Sequence, residues 1–342
     1  MLNNCDIRIE LDDPHRTYEA GDTITGTVHV EVNKDCQCDD LLLLLEWHTH
    51  GRGNTVEHRV GQQSLFRGEW AAREHHEYDF ETTLPPGPYT YHGEYLNVDW
   101  RLSATADIPW AMDPSAEQEL LLEPSGTEDR FQLGDKDVAE RALSSGDDDQ
   151  AISWGGLVFG GIFLVVGLFI FYQAVISRAW VMGGFSMLFM APGGFFVYHS
   201  IRNALAQRRL GTVDVAMDAT EASPGERLRC RVSMEPPGTV DLNEITVRLH
   251  GYERVVSGHG TSKTTYTQTV HDETTTIQSS KQATIRGGIR TFKADVPIPD
   301  SAPFSFHASY NELKWDVEVH IDVPNWPDWS HTEPLTVRPS PT

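Results

Sequence analysis

The chain has 342 residues, which is long for one domain and enough for about two. Its 27 Lys and Arg stand against 50 Asp and Glu, a formal net charge of −23, and an acid excess of that size excludes the broad basic face that holds a nucleic-acid backbone. Four cysteines exclude a small scaffold held by disulfides.

The first 124 residues carry 24 acids and 8 bases and read as all-β. Cys5, Ile7, Ile9 and Leu11 alternate with Asp6, Arg8 and Glu10, the period-two pattern of a half-buried strand. Thr23 to Val32 alternates likewise, its apolar residues mostly on the inner face. Leu41 to Leu45 is a continuous apolar run that predicts a central strand covered on both sides. Turn signals stand at Tyr18-Glu19-Ala20-Gly21-Asp22 and Pro85-Pro86-Gly87-Pro88. Residues 125–150 shift to Gly, Ser, Asp and Glu and predict an acidic linker, with a short helix over Asp137 to Leu143 as its one structured piece.

From Ala151 to Ser177 there is no charged residue, and after Arg178 another uncharged run extends from Ala179 to Ile201. About 20 apolar residues cross a bilayer core, so segment 151–201 predicts a hairpin of two spans, near 152–173 and 179–201. The runs lie far from Met1, which argues against a signal peptide. Arg202, Arg208 and Arg209 follow the second span while Arg178 is alone in the turn. By the positive-inside rule both flanks face the cytoplasm of a cell-membrane protein. Gly156-x-x-x-Gly160 suits close packing of the hairpin on itself, and Pro192-Gly193-Gly194 predicts a bend or break in the second span.

Residues 211–342 repeat the first 124. Pro88-Tyr89-x-Tyr91-His92 answers Pro303-Phe304-x-Phe306-His307 at an offset of 215, which also relates Trp100 to Trp315, Asp107 to Asp322, and Pro109 to Pro324. With small gaps Gly21-Asp22 answers Gly225-Glu226, and Phe80 with Leu84-Pro85 answers Phe292 with Val296-Pro297. The chain is therefore read as a duplicated domain with the hairpin between the copies. In the second copy Leu228, Cys230 and Val232 point inward and Arg227, Arg229 and Arg231 outward. The Thr-rich stretch Thr261 to Thr276 predicts an exposed β-hairpin open to strand addition.

Tyr18-x-x-Gly21-Asp22-x-Ile24-x-Gly26-x-Val28, followed by Phe80-x-x-x-Leu84-Pro85-x-x-x-Tyr89-x-Tyr91-x-Gly93 and Trp100, resembles an arrestin-type N-domain. Leu249-x-Gly251-x-Glu253 with Val296-Pro297-Ile298-Pro299 before Ser305-Phe306 is similar to an arrestin-type C-domain. Arrestins, the arrestin-like subunit of retromer and bacterial sporulation-control proteins share this plan of two immunoglobulin-like β-sandwiches. The resemblance implies scaffolding: binding of a membrane or cytosolic protein through sandwich surfaces, without catalysis. The departure from the family is the helical hairpin in the interdomain connection, which leaves direct packing of the two domains open.

Few residues suggest chemistry. His48-x-His50 closes the Leu strand and Cys36-x-Cys38 opens it, but no Cys-x-x-Cys pair accompanies them, and the second copy has no counterpart of His48 or His50. The expectation is no metal, no cofactor and surface histidines, with a metal-dependent enzyme using His48 and His50 as a remote alternative. His92 and His307, equivalent and without a nucleophile beside them, read as structural. The candidate interaction surface is Trp326 and Trp329 in the block Asp322 to Trp329, together with the stripe Arg227, Arg229 and Arg231. No phosphate loop, nucleophile elbow or His-Glu-x-x-His sequence is present. The second functional class kept open is an envelope-facing module for a polysaccharide, a peptide or an envelope protein.

Overall fold

Alternating apolar residues build two sandwiches of the same topology in a computed structural model that describes residues 4–14, 16–124 and 154–339. The first contains β1 (Cys5–Leu11), β2 (Tyr18–Glu19), β3 (Thr23–Val32), β4 (Cys36–Gly51), β5 (Val56–Trp70), β6 (His75–Thr83), β7 (Tyr91–His92), β8 (Leu96–Asp107), β9 (Ser115–Leu120) and β10 (Leu122–Glu123). Helices α1 (Trp154–Ser177) and α2 (Trp180–Leu210) follow. The second contains β11 (Thr212–Met217), β12 (Glu221–Ala222), β13 (Arg227–Glu235), β14 (Val240–Ser257), β15 (Thr264–Ile285), β16 (Arg290–Pro297), β17 (Phe306–Ala308), β18 (Asn311–Asp322) and β19 (Trp329–Val337). The linker and its expected short helix lie outside the described residues.

Sheet order is the same in both copies. One sheet runs β1-β3-β6 in the first and β11-β13-β16 in the second. The other runs β5-β4-β8-β7 with β9 on β8, answered by β15-β14-β18 with β17 and β19 on β18. On β3, Ile24, Val28, Val30 and Val32 are all buried and share one face, so the alternation is stricter than read from sequence. Each inner face feeds its own core, centred on Trp100 in one copy and Trp315 in the other.

The duplication has a local physical cause at each matched position. Trp100 Nε1 donates to Pro88 O at 2.6 Å, and Trp315 Nε1 donates to Pro303 O at 3.0 Å. A buried indole must find an acceptor, so Trp and Pro stay twelve residues apart in both copies. Upstream, the sequence alignment is corrected. Gly21 and Asp22 exchange backbone hydrogen bonds with Leu84, whereas Gly225 and Glu226 exchange theirs with Ile298. Leu84-Pro85 therefore corresponds to Ile298-Pro299, not to Val296-Pro297, and Phe80 corresponds to Ala294.

Both helices are long and apolar enough to cross a membrane, with mean hydropathy 2.3 over Leu157–Ser177 and 1.4 over Trp180–Leu210. Large apolar side chains such as Phe169, Tyr172, Val181 and Leu188 are exposed along them. The helices pack on each other where side chains are missing: a Cβ on Gly160 would lie 2.9 Å from Gly193 O, and one on Gly167 would meet Met190. Pro192 sits inside a continuous α2, so the expected interruption does not occur. α2 also runs past the predicted span, and its last turn buries Ala206 and Leu210 in the core of the second sandwich.

Candidate functional site

The predicted surface residues do not form one patch. Trp329 opens β19 and is buried in the second core beside His331, so it is no part of a surface. Trp326 is partly exposed in the preceding turn. That block is a turn whose parts recur in the first copy. Asn325 and its equivalent Trp110 both take positive φ, and Val323 N and Ile108 N donate to Asp328 and Asp113. Sequence reading missed Trp110, which with Met112 projects fully into solvent at the equivalent tip.

Arg227, Arg229 and Arg231 do line the outer face of β13, alternating with buried Leu228, Cys230 and Val232. Arg231 is paired across the sheet with Lys293, and only Arg229 has an ion pair among the described residues, a long one of 3.9 Å to exposed Asp295. Surface pairs of that kind contribute little, so the charge of the stripe is only weakly compensated by this pair.

The two sandwiches touch directly, and equivalent residues do the touching. Tyr89 and Phe304, related by the offset of 215, meet edge to face at 5.3 Å. Asn54 Nδ2 donates to Gly258 O and Gly258 N donates to Asn54 Oδ1, at 2.9 and 3.0 Å. Val98 pairs with Thr49 and Leu313 with Glu253, which makes Thr49 the counterpart of Glu253 and gives Asn54 and Gly258 the same relation. Contacts between counterparts mark a pseudo-two-fold axis. Trp47, Leu96, Val98, Val255, Phe306 and Leu313 fill its centre.

Glu253 is the strongest polar element of this junction. It is 1% exposed. Its Oε1 accepts from Tyr91 Oη at 2.7 Å and Glu94 N at 3.1 Å, and its Oε2 from Tyr95 N at 2.6 Å and Leu96 N at 3.2 Å. Four donors satisfy a buried carboxylate that has no ion pair among the described residues. Burial and the adjacent carboxylate push the Tyr91 phenol up, keeping it a donor. Gly93 gives Glu253 its space, since a Cβ there would collide with the carboxylate. On the other side of the axis Asn311 Nδ2 donates to Thr49 Oγ1 and to Asn54 O, both at 2.8 Å. A cavity of about 160 Å³ opens next to the axis, lined by Tyr89, Tyr91, Phe304, Phe306 and Arg338.

The histidines gather differently from the sequence expectation. His48 and His50 share the outer face of β4, but Asp99 of β8 lies directly opposite His48, and His92 of β7 completes the group. His50 Nε2 stands 2.5 Å from Asp99 Oδ2, and His92 Nε2 stands 2.6 Å from Asp99 Oδ1. In the second copy His307 Nδ1 lies 2.9 Å from Glu312, which also takes Arg254 at 2.8 Å and Lys314 at 3.6 Å. Burial would raise the Glu312 carboxyl, but hydrogen bonds from His307 and Arg254 and the Lys314 charge hold it at about 2. The thiols are not activated: burial pushes Cys5 and Cys38 up to about 12 and Cys230 to about 11.

Two sandwiches of one topology, in contact through the strand ends and loops around Thr49, Tyr91, Glu253 and Asn311, define an arrestin-like fold. The family model described as "Arrestin (or S-antigen), N-terminal domain" matches residues 213–340. The second sandwich is therefore similar to that family over these residues, and the first sandwich repeats its sheet order. The matched model is that of an N-terminal domain although it falls on the second half. Among solved structures, the sporulation control protein Spo0M from Bacillus subtilis is similar at 19% identity and a TM-score of 0.32, over 36% of this chain and 51% of that one. The chain thus spans about half the length of that protein. No curated protein matches by sequence.

Proposed function

We propose that the protein is a non-catalytic, membrane-anchored arrestin-like adaptor that binds an acidic protein partner through the outer face of β11-β13-β16. The observation that carries this reading is the basic stripe Arg227, Arg229, Arg231 and Lys293 on a chain of net charge −23. On this face four bases outnumber the exposed acids Asp214, Glu235 and Asp295, and a weakly paired excess of one sign steers a partner of the other. The membrane anchor is supported by the exposed apolar sides of α1 and α2, which water does not tolerate over such an area. Both sandwiches then lie on the cytoplasmic side, the side favoured by Arg202, Arg208 and Arg209.

The test is sidedness followed by capture. A specific protease site is placed at Ser144-Ser145-Gly146 and protease is added to intact and to permeabilised cells. Cleavage only after permeabilisation, with the chain retained in carbonate-washed membranes, supports the cytoplasmic adaptor. Cleavage in intact cells moves the domains outside and favours an envelope-facing module. An R227E/R229E/R231E variant that keeps every cross-linked partner of the wild type overturns the stripe as the binding face.

A further inference from the structure

The first sandwich carries a cluster that neither the fold nor the adaptor reading uses. His48, His50 and Asp99 each bring a ligand atom within 4.8 Å of the others. His92 joins them through the second oxygen of Asp99. Three imidazoles and one carboxylate are the donor number and type that a zinc-class divalent ion takes in a closed tetrahedral site. His48 Nδ1 is buried with no hydrogen-bond partner among the described residues, a polar atom left without the bond its burial demands. His50 and His92 are 49% and 59% exposed, so an ion reaches the cluster from solvent and both rings are free to adjust.

His48, His50 and Asp99 already stand close enough to share one ion, whereas His92 touches only Asp99 and must swing toward the other two. Ligand atoms about 2.0 Å from a tetrahedral ion stand about 3.3 Å from each other. The His50 and His92 nitrogens sit 2.5 and 2.6 Å from the Asp99 oxygens, the separation of hydrogen bonds whose protons a metal ion would replace. The second copy shows how the same place on the fold is otherwise neutralised. There the counterparts of His50 and Asp99 are Arg254 and Lys314, and these fixed cations converge on Glu312. The first copy has no Arg or Lys at either position and lies within 124 residues holding 24 acids and 8 bases, a field that concentrates cations.

We propose that His48, His50, His92 and Asp99 form a structural site for one zinc-class divalent cation. The ion would tie β7 to β4 and β8. His92 is adjacent to Tyr91 and lies just before Glu94, Tyr95 and Leu96, the groups that hold Glu253 across the pseudo-two-fold axis. Metal binding thereby stiffens the segment on which the interdomain contact depends.

The test uses the full chain in detergent, without a polyhistidine tag and stripped with chelator. Zn²⁺ is titrated by calorimetry and Co²⁺ by visible absorption. The expected result is one saturable equivalent and a tetrahedral Co²⁺ band. Affinity should fall more than about 100-fold in H50A/H92A and in D99N, beyond what loss of a merely supporting group costs. H29A/H75A removes the other His-rich group on this sandwich, C36S removes a thiol, and both should bind as the wild type does. Zn²⁺ should also slow hydrogen exchange over residues 91–98 in the wild type alone. Because His50 is half exposed, H50Q serves as the variant least able to disturb folding, checked by an unchanged circular dichroism spectrum. Absence of a stoichiometric site, or a site that survives H50A/H92A, H50Q and D99N, overturns the proposal.

Discussion

Replacing Glu253 by leucine is the most informative perturbation of the molecule. Leucine nearly matches the volume of glutamate but accepts no hydrogen bond, so Tyr91 Oη and the amides of Glu94, Tyr95 and Leu96 lose their acceptor together. At the low end of about 1 kcal/mol for each orphaned buried donor, the loss is about 4 kcal/mol. Part of this is offset because leucine has no charge to desolvate. A net loss of about 3 kcal/mol remains, roughly a hundredfold in the equilibrium for opening the junction. The penalty falls on amides of the other sandwich, and hydrogen exchange by mass spectrometry of the full chain reads them directly. Exchange of residues 94–96 in E253L should accelerate by roughly a hundredfold while the central strands β3 and β13 stay protected. T49V, at the counterpart position, removes two neutral bonds, from Asn311 Nδ2 and Val56 N, and leaves Asn311 still donating to Asn54, so residues 94–96 should exchange as in the wild type. If E253L exchanges at these amides within about twofold of the wild type, the carboxylate does not hold the sandwiches together and the reasoning fails.

The remaining predictions rest on separate contacts. G93A should reproduce the exchange pattern of E253L, since the new methyl displaces the carboxylate, while G61A, with no atom closer than 3.6 Å to the added carbon, should not. W315F removes the indole donor to Pro303 O and part of a buried side chain, and should cost about 2–3 kcal/mol by denaturant titration, as W100F should in the first copy. The Glu312 carboxyl is depressed to about 2, so its contribution is complete above the unfolded value near 4.5 and is lost as pH falls toward 2. That contribution is about 3 kcal/mol, and E312Q should be less stable at pH 7 yet should lack this part of the acid dependence. Equal acid dependence in wild type and E312Q, measured by denaturant midpoints between pH 5 and 2, contradicts the assignment.

The strands, the helices and the duplication were legible because each leaves a local signature. Alternation reveals a half-buried strand, an uncharged run reveals a helix fit for a bilayer, and Trp100 and Trp315 keep fixed distance from Pro88 and Pro303 because the indole binds that carbonyl. Trp329 was misplaced because an aromatic residue in a Pro-rich block looks the same whether it begins a core strand or caps a turn. Only the partner Ile321, opposite it on β18, decides. The histidine cluster needed three strands to be paired: His48 and His50 are visible as a pair, but Asp99 and His92 lie about 50 and 40 residues on in sequence and join them through the β4-β8-β7 order. In the sequence Glu253 belongs only to a turn-and-core pattern, since nothing in a single buried carboxylate announces four donors from another domain.

The same comparison explains why the two copies pair with each other. Across a true two-fold axis each contact occurs twice with the same chemistry, and here it does not. Glu253 meets the Leu96 amide on one side, and Thr49 meets the Asn311 side chain on the other. Two first sandwiches joined in this way would set Thr49 against Leu96 twice, with no buried carboxylate to bind the amides of residues 94–96. Two second sandwiches would bury two Glu253 carboxylates about one axis, doubling the charge that burial must desolvate. Only the mixed pair satisfies both sides. The divergence of Thr49 from Glu253 and of Leu96 from Asn311 therefore favours pairing of unlike copies over pairing of like ones. It also leaves the outer faces, the basic stripe on one copy and the histidine cluster on the other, free to carry separate functions.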